Sequence, residues 1–550
     1  MLRLVPPLTL ALLLGPLLLG LGWTLLPAFG WFPAIGGDSL SLDPFRALFA
    51  WPGFPAALRQ TLMSGIGAAL LSLALAVAFC AAAWERPWFL RAERWLAMLL
   101  APPHAAVALG LAFLVAPSGL AARLAGLPAG WDRPPQDWPM EERGVAALIL
   151  GLAAKEVPYL VLMLIGAAGQ AGIRPALAAA RALGHGPRLA FLKVALPRLY
   201  PQIRLPVYAV LAYSLSVVDV GLILGPGNPP TLAVLAQRWF ADHELAMYFP
   251  AAAAAVLMGG LVLSAICCWR LGEMLAAAAG RRWLEGGGRR GEAAVAALGR
   301  LGAAVAAAGL VGLVLMALWS VAVHWRFPAL LPAGPTAETW LRLAGPALLA
   351  PLGETLAIAC TSTAVALVLA VLCLEAEQRC GLKPGAGALW LIYLPLLVPQ
   401  IAFLFGIQLV LLRSGLDGTR LAVAWVHLVF VLPYVFLSLA DPWRALDPRL
   451  VRVAAGLGRG PWTILARVKL PLLLPSLAIA AAVGVAVSAG QYLPTLFAGG
   501  GRIATLTTEA VTLAAGGDRR VIGVFAVLQA AVPLAGFALA LGLPRMLRRH

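Results

Sequence analysis

Charge is scarce in this sequence, and negative charge scarcest of all: 24 of its 550 residues are Asp or Glu, and only 12% are charged. A soluble chain keeps about twice that share, because its surface must face water, so a soluble globular protein is excluded. Histidine and cysteine are equally sparse, with six of each. Cys80, Cys267, Cys268, Cys360, Cys373 and Cys380 show no metal-ligand spacing, and all but Cys380 lie in apolar runs. They are expected to be small helix-packing residues, with no disulfide framework and no metal site. Missing as well are a G-x4-G-K-[S/T] phosphate loop, H-E-x-x-H and G-x-S-x-G. The chain is therefore expected to bind no ATP or other cofactor itself and to have no catalytic residues.

What remains is apolar. The chain is 61% hydrophobic with a mean hydropathy of +0.89. Continuous runs recur at about 5–27, 61–83, 95–116, 145–168, 205–225, 247–269, 301–323, 354–374, 388–412, 421–440, 475–497 and 521–543. Each suits a hydrocarbon core about 30 Å thick. Their continuity predicts helices rather than a barrel, hence an all-α polytopic membrane protein of about twelve spans. The first run has no small-x-small cleavage site after it and reads as a span. The net charge of +17 is not gathered in one basic domain, so no nucleic-acid partner is expected. Arginines instead crowd 170–204, 270–300, 441–474 and the tail at Arg545, Arg548 and Arg549, while the alternate loops are sparse or mixed in sign. The positive-inside rule puts these stretches and both termini in the cytoplasm of an inner-membrane protein. Trp51, Trp84 and Trp239, near span ends, are expected in the interfacial belts.

The two halves repeat in order. Leu183-Gly184, Gly186-Pro187, Leu196-Pro197 and Pro201 recur at identical spacing as Leu457-Gly458, Gly460-Pro461, Leu470-Pro471 and Pro475. Thr61-Leu62 matches Thr355-Leu356; Pro103-His104 with Gly110 matches Pro399-Gln400 with Gly406. Val157-Pro158-Tyr159 matches Leu432-Pro433-Tyr434, and Thr231-Leu232 matches Thr505-Leu506. Two parallel six-span halves are predicted, at 1–270 (core about 57–268) and 301–550 (core about 351–543). Between them 271–300, with Gly286-Gly287-Gly288, reads as a flexible cytoplasmic linker.

In the first Arg-rich loop, Ala176–Leu183 favours a helix and Gly184-His185-Gly186-Pro187 breaks it. A second amphipathic stretch from Arg188 runs to a break at Leu196-Pro197 and Pro201 before span five. The result is an elbow, basic outside, with Leu189, Phe191 and Leu192 available to dock; Val451–Leu470 builds the same elbow again. One such loop could be a plain solvated loop; two at one spacing suit a partner with two equivalent sites. This pattern resembles the EAA loop of permeases in bacterial ATP-binding cassette importers of the type 1 fold. Ala178-Ala179-Ala180 with Gly184, and Arg452-Val453-Ala454 with Gly458, stand where that family has E-A-A and its Gly; the leading Glu is replaced by Ala178 and by Arg452. A single chain with two such halves is similar to the fused permeases of thiamine and ferric-iron uptake, the thiamine type above all. The resemblance implies two separate ATPase subunits that hydrolyse ATP and receive one elbow each, and a periplasmic solute-binding protein.

Ionisable residues inside spans are costly and are candidates for a pathway. Lys155 and Glu156 fall mid-span, point in different directions, and either line a polar pathway or pair with neighbouring helices. Their counterparts are Phe430 and Val431; Asp219, mirrored by Leu493, is a third candidate. His104 and His427 are expected to make helix-packing hydrogen bonds rather than to serve metal or proton chemistry. An ion-coupled secondary transporter is the alternative, but it would favour more intramembrane carboxylates. A membrane-embedded lipid enzyme would need clustered acids or histidines at an interface.

Overall fold

The computed structural model describes residues 2–89, 100–138, 144–286, 288–382 and 385–547. The expected start of span three at 95–99, together with Arg94, Arg143, Gly287, Arg548 and Arg549, lies outside them. Among the described residues the fold is all-α apart from a hairpin of two-residue strands, Trp31–Phe32 with Gly37–Asp38, and one bridge between Ala322 and Pro335. Its principal helices are α1 (Val5–Ala28), α2 (Phe54–Ala83), α3 (His104–Val115), α4 (Val145–Ala171), α5 (Leu196–Ser216) and α6 (Tyr248–Glu285). They continue with α7 (Glu292–Ser320), α8 (Pro346–Cys380), α9 (Ile401–Arg413), α10 (Arg420–Arg444), α11 (Leu474–Ala489) and α12 (Arg519–Leu547).

Among the described residues nine helices are long and apolar enough to cross a membrane, or eleven if two bent pairs each count as one span. By this measure the count falls short of about twelve at span five. There α5 opens with Arg198, Gln202 and Arg204, stops at Ser216, and is followed by a separate short helix, Asp219–Leu224. Span nine is interrupted by a bend of 92° after Leu397, and span eleven begins just past a bend of 77° after Leu472 and stops at Ala489, ahead of a separate short helix, Leu493–Gly499. Prolines 399 and 475 stand at or just past these breaks, where a missing N–H and a fixed φ forbid a straight continuation.

The flexible linker is corrected. Residues 271–285 extend α6 and 292–300 begin α7, so most of the expected linker is helical. The run Leu275–Ala279 is made of strong helix formers, and they outweigh the scattered charge.

Apolar helices gain nothing hydrophobic by leaving lipid for each other, so close backbone approach decides which ones pack. Here the first helix of each half packs on the other half: α1 against α8 and α9, α7 against α2, α3 and α4. Glycine makes both crossings possible. A Cβ on Gly312 of α7 would lie 2.6 Å from the carbonyl carbon of Gly110 in α3. A Cβ on Gly406 of α9 would collide with the carbonyl of Gly20 in α1. Thr24 closes the second crossing, its Oγ1 accepting from the Gly406 N–H at 3.0 Å. Opposite the elbow-bearing ends, Arg123, 3% exposed, donates to the carbonyls of Ser118 (2.9 Å), Trp325 (3.3 Å), Arg326 (2.9 Å) and Ala329, tying the segment after α7 to the first half.

Several local contacts occur at corresponding places in the two halves. The Thr61 hydroxyl accepts from the Leu232 N–H at 2.8 Å, and the Thr355 hydroxyl from the Leu506 N–H at 2.9 Å. Gly144 donates to the Leu224 carbonyl and Gly418 to the Ala498 carbonyl, both at 2.9 Å. The tryptophans also make specific contacts: Trp51 and Trp239 meet edge to face at 5.5 Å, and Trp84 packs on Phe191 with the rings 5.5 Å apart.

Filling either glycine crossing should destabilise the protein. Gly312→Leu and Gly406→Leu are each expected to cost about 1–3 kcal/mol and lower the midpoint of thermal unfolding in detergent. Gly353→Leu, at a glycine with open space around it, should leave the midpoint unchanged.

Candidate functional site

Both elbows form from the same turn. The helix Arg174–Ala182 ends at Leu183, and Gly184 takes φ +83°. The Gly184 N–H donates to the Arg181 carbonyl at 2.8 Å and the His185 N–H to the Ala180 carbonyl at 3.2 Å. The helix Pro448–Gly456 ends identically: Gly458 at φ +74°, Gly458 to Ala455 at 2.9 Å, Arg459 to Ala454 at 3.2 Å. This paired closure satisfies the last carbonyls of a helix and requires a left-handed residue, the reason glycine stands at 184 and 458. Gly186 and Gly460 are extended, and Pro187 and Pro461 open the short helices Pro187–Ala190 and Pro461–Ile464.

A π-helical turn follows in each elbow, Phe191–Ala195 and Leu465–Lys469, just before Pro197 and Pro471. The first elbow then runs unbroken into α5 through Leu196, Pro197 and Pro201, so the break expected there is corrected. Widening the turn accommodates a proline that brings no N–H to the ladder. The second elbow, after Leu470 and Pro471, does bend at Leu473, ahead of Pro475.

Leu189 and Phe191, read from the sequence as docking residues, are buried within the chain at 3% and 1% exposure, and Leu192 is half-buried. Leu183 and Leu457 stand at matched positions of the two elbows, 71% and 74% exposed, and the second elbow also presents Val453 and Trp462, 63% and 55% exposed. Ala178 and Arg452 are exposed on the preceding helices. Beside Ala178, Arg181 pairs with Glu85 at 2.8 Å.

The elbows differ in what holds them. Glu292, at the start of α7, accepts from the Leu189 N–H at 2.8 Å and pairs with Arg188 at 3.2 Å. Arg289 donates to the Leu183 carbonyl at 3.1 Å, and Lys193 to the Gly286 and Gly288 carbonyls at 2.7 and 3.0 Å. The connection between α6 and α7 is thus fastened to the first elbow. The second elbow is held from α8: Lys469 meets Glu375 at 2.6 Å and Gln378 at 2.8 Å, and Arg379 donates to the Pro461 carbonyl at 2.6 Å.

A second group of polar side chains lies within the spans. His104 Nε2 is 3.1 Å from Glu156 Oε1, and its ring is 4.6 Å from that of Tyr213. Asp219, at the first turn of its short helix, is within electrostatic range of His104 and Tyr213. Tyr434, from the second half, is within that range of Glu156, Tyr159 and Tyr213, and Tyr492 is within range of Asp219. Tyr159, Tyr213 and Asp219 are only partly buried, and Tyr434 is 37% exposed. Glu156 and Tyr492 are buried, at 5% and 9% exposure.

Of the two readings of Lys155, a place on a pathway or pairing with its surroundings, its contacts fit the second. Its ammonium donates to the carbonyls of Leu100, at 2.7 Å, and Pro102, where the Pro102-Pro103 break interrupts the helical ladder. One residue further along α4 faces about 100° away, and so Glu156 meets His104 instead. His427 makes helix-packing bonds, to Ser488 at 2.8 Å and Thr495 at 3.0 Å.

This chain is 32% identical over 507 residues to an inner-membrane ABC transporter permease protein, YnjC of Escherichia coli, covering 91% of this chain and 90% of that one. The chain belongs to the ABC transporter permeases. Over 179 residues the permease is also 26% identical to the 2-aminoethylphosphonate transport permease PhnV of Salmonella typhimurium, covering 32% of this chain and 67% of that one. Over 124 residues it is 33% identical to the molybdenum transport permease ModB of Mycobacterium bovis, covering 20% of this chain and 47% of that one. No family model matches the sequence.

Sequence reasoning missed the carboxylates that hold the permease's elbows, Glu292 and Glu375. The available signal was scarcity: an acid at a helix end in so acid-poor a chain has a specific cation to meet. Glu375→Gln would leave Lys469, 3% exposed, without its carboxylate. It should cost about 3–5 kcal/mol in detergent unfolding, and Glu375→Gln with Lys469→Met should recover most of that loss.

Proposed function

We propose that this permease is the fused membrane component of an importer. Two six-helix halves derived from one repeat share one pathway, with both termini and both elbows on the cytoplasmic side. Each elbow receives one of two ATP-binding cassette subunits, and a periplasmic binding protein delivers solute to the opposite face. ATP is hydrolysed by those partners, since the chain carries no phosphate-loop sequence. The observation that carries the proposal is the matched pair of glycine turns, each presenting one exposed leucine, Leu183 and Leu457. Two equal knobs suit a partner with two equal sockets.

The solute we favour is thiamine or a related organic cation, with ferric iron next. Glu156 and Asp219 bring negative charge to the polar group within the spans, and Tyr159, Tyr213 and Tyr434 bring aromatic faces. Carboxylates with aromatic rings hold organic cations by charge and by the ring quadrupole. Molybdate and 2-aminoethylphosphonate, named for two of the relatives, would call for cationic or N–H donors instead.

Replacing Gly184 or Gly458 with valine forces a branched residue into left-handed backbone at about 1–2 kcal/mol and displaces the neighbouring leucine. ATP-dependent uptake in proteoliposomes should fall at least about tenfold in each variant, while the ATPase subunits keep hydrolysing ATP; unchanged uptake in both would contradict the coupling role. Glu156→Gln and Asp219→Asn should each lower thiamine uptake about tenfold with ATPase assembly unchanged, as expected for loss of a charge-assisted contact. Wild-type uptake in both variants would remove these residues from the pathway.

A further inference from the structure

On the elbow side of the molecule a cleft of about 490 Å³ opens between the end of α2 and the start of α7. Arg86, Arg188 and Arg300 line it with Phe79 and Trp88, and its floor is made of alanines from both helices around Gly299. No carboxylate lines it among the described residues. Glu292, next to the lining Ala293, is engaged with Arg188 and the Leu189 N–H, and Glu85, next to Arg86, is paired with Arg181. No partner is recorded for the Arg86 and Arg300 guanidinium groups among the described residues, and both side chains are exposed. The floor is deep because the helices approach closely: a Cβ on Gly299 would lie 2.8 Å from the Ala78 carbonyl oxygen and the Ala82 Cβ.

Three guanidinium groups above a smooth apolar groove, beside a half-exposed tryptophan where two membrane helices end, form an amphipathic site. The cationic rim fits a phosphodiester, which guanidinium binds with paired N–H donors. The Ala/Gly floor fits an acyl chain, and Trp88 suits the interface between the two. A free phosphate would leave that floor uncovered, and an acidic protein segment would find lipid-facing alanine beneath it. We propose that this cleft binds one anionic phospholipid, its phosphate held by Arg86, Arg188 and Arg300 and one chain laid along the groove between α2 and α7. Arg188 belongs to the first elbow and is paired with Glu292 of α7, so the lipid sits at the joint between that elbow and the second half. The inference rests on the proposed orientation only for which leaflet supplies the lipid.

The test is native mass spectrometry of the full-length chain in mild detergent, with phosphatidylglycerol or phosphatidylcholine added. A retained phosphatidylglycerol adduct is expected, reduced about tenfold in Arg86→Gln/Arg300→Gln and several-fold in Trp88→Ala, which leaves every charge in place. Arg449→Gln/Arg467→Gln, equal in charge lost but on the second elbow and not among the cleft's lining, should keep the adduct, and millimolar inorganic phosphate should not displace it. Equal retention of phosphatidylcholine, an unchanged adduct in Arg86→Gln/Arg300→Gln, an equal loss in the distant pair, or displacement by phosphate would each overturn the proposal. Loss of ATPase binding in Arg86→Gln/Arg300→Gln with the lipid adduct intact would assign the cleft to the protein partner instead. Neither readout needs transport, so a wrong solute or importer reading would leave the result standing.

Discussion

Helices already in lipid have no water to escape, and what separates one arrangement from another is how closely their backbones can come together. In this permease that constraint is met where glycine faces backbone, Gly20 with Gly406 and Gly110 with Gly312. Each contact clamps the first helix of one half onto the body of the other. Arg123 adds a polar tie across the halves, and a cation with four carbonyl partners away from water is costly to release. The halves are therefore interlocked rather than set side by side. Both elbows, and the polar group around Glu156 and Asp219, are referred to one frame.

Within that frame the elbows share a turn but not a support. The first is bonded to Arg289 and Glu292, where α7 leaves to pack on the first half, and the second to Glu375, Gln378 and Arg379 on α8. A displacement at Leu183 would be felt at once by α7, and through it by α2, α3 and α4. A displacement at Leu457 would act first on α8 and on α10, which packs against it. Equal inputs into unequal linkages let one chain move its halves differently, as two identical subunits could not.

Much of this was legible in the residues, and the parts that were not have a common cause. Apolar run length announced the helices because backbone in lipid has so few alternatives. Glycine and proline spacing located the elbows, since Gly184 and Gly458 stand where a helix must close left-handed. The threonines paired by their spacing, Thr61 with Thr355, make the same hydrogen bond. What escaped was whatever depends on the third dimension. Phe191 looked like a docking residue because nothing in the loop reveals that Trp84 covers it. Lys155 fitted two readings because its partners are carbonyls, which carry no sequence signal. The helical extensions at 271–285 and 292–300 were hidden by a glycine-rich stretch of sequence, although α6 runs to Glu285 and α7 starts at Glu292.

The central claim is that Leu183 and Leu457 together form a two-point contact with a nucleotide-hydrolysing partner. Cysteine placed at each position, in a chain cleared of its six native cysteines, would be tested for disulfide cross-linking to the ATPase subunits in membranes. The account predicts a cross-link from each site, both in a single complex, and protection from membrane-impermeant maleimide added outside intact cells. Cross-linking from only one site, or labelling of either cysteine from the outside, would contradict it.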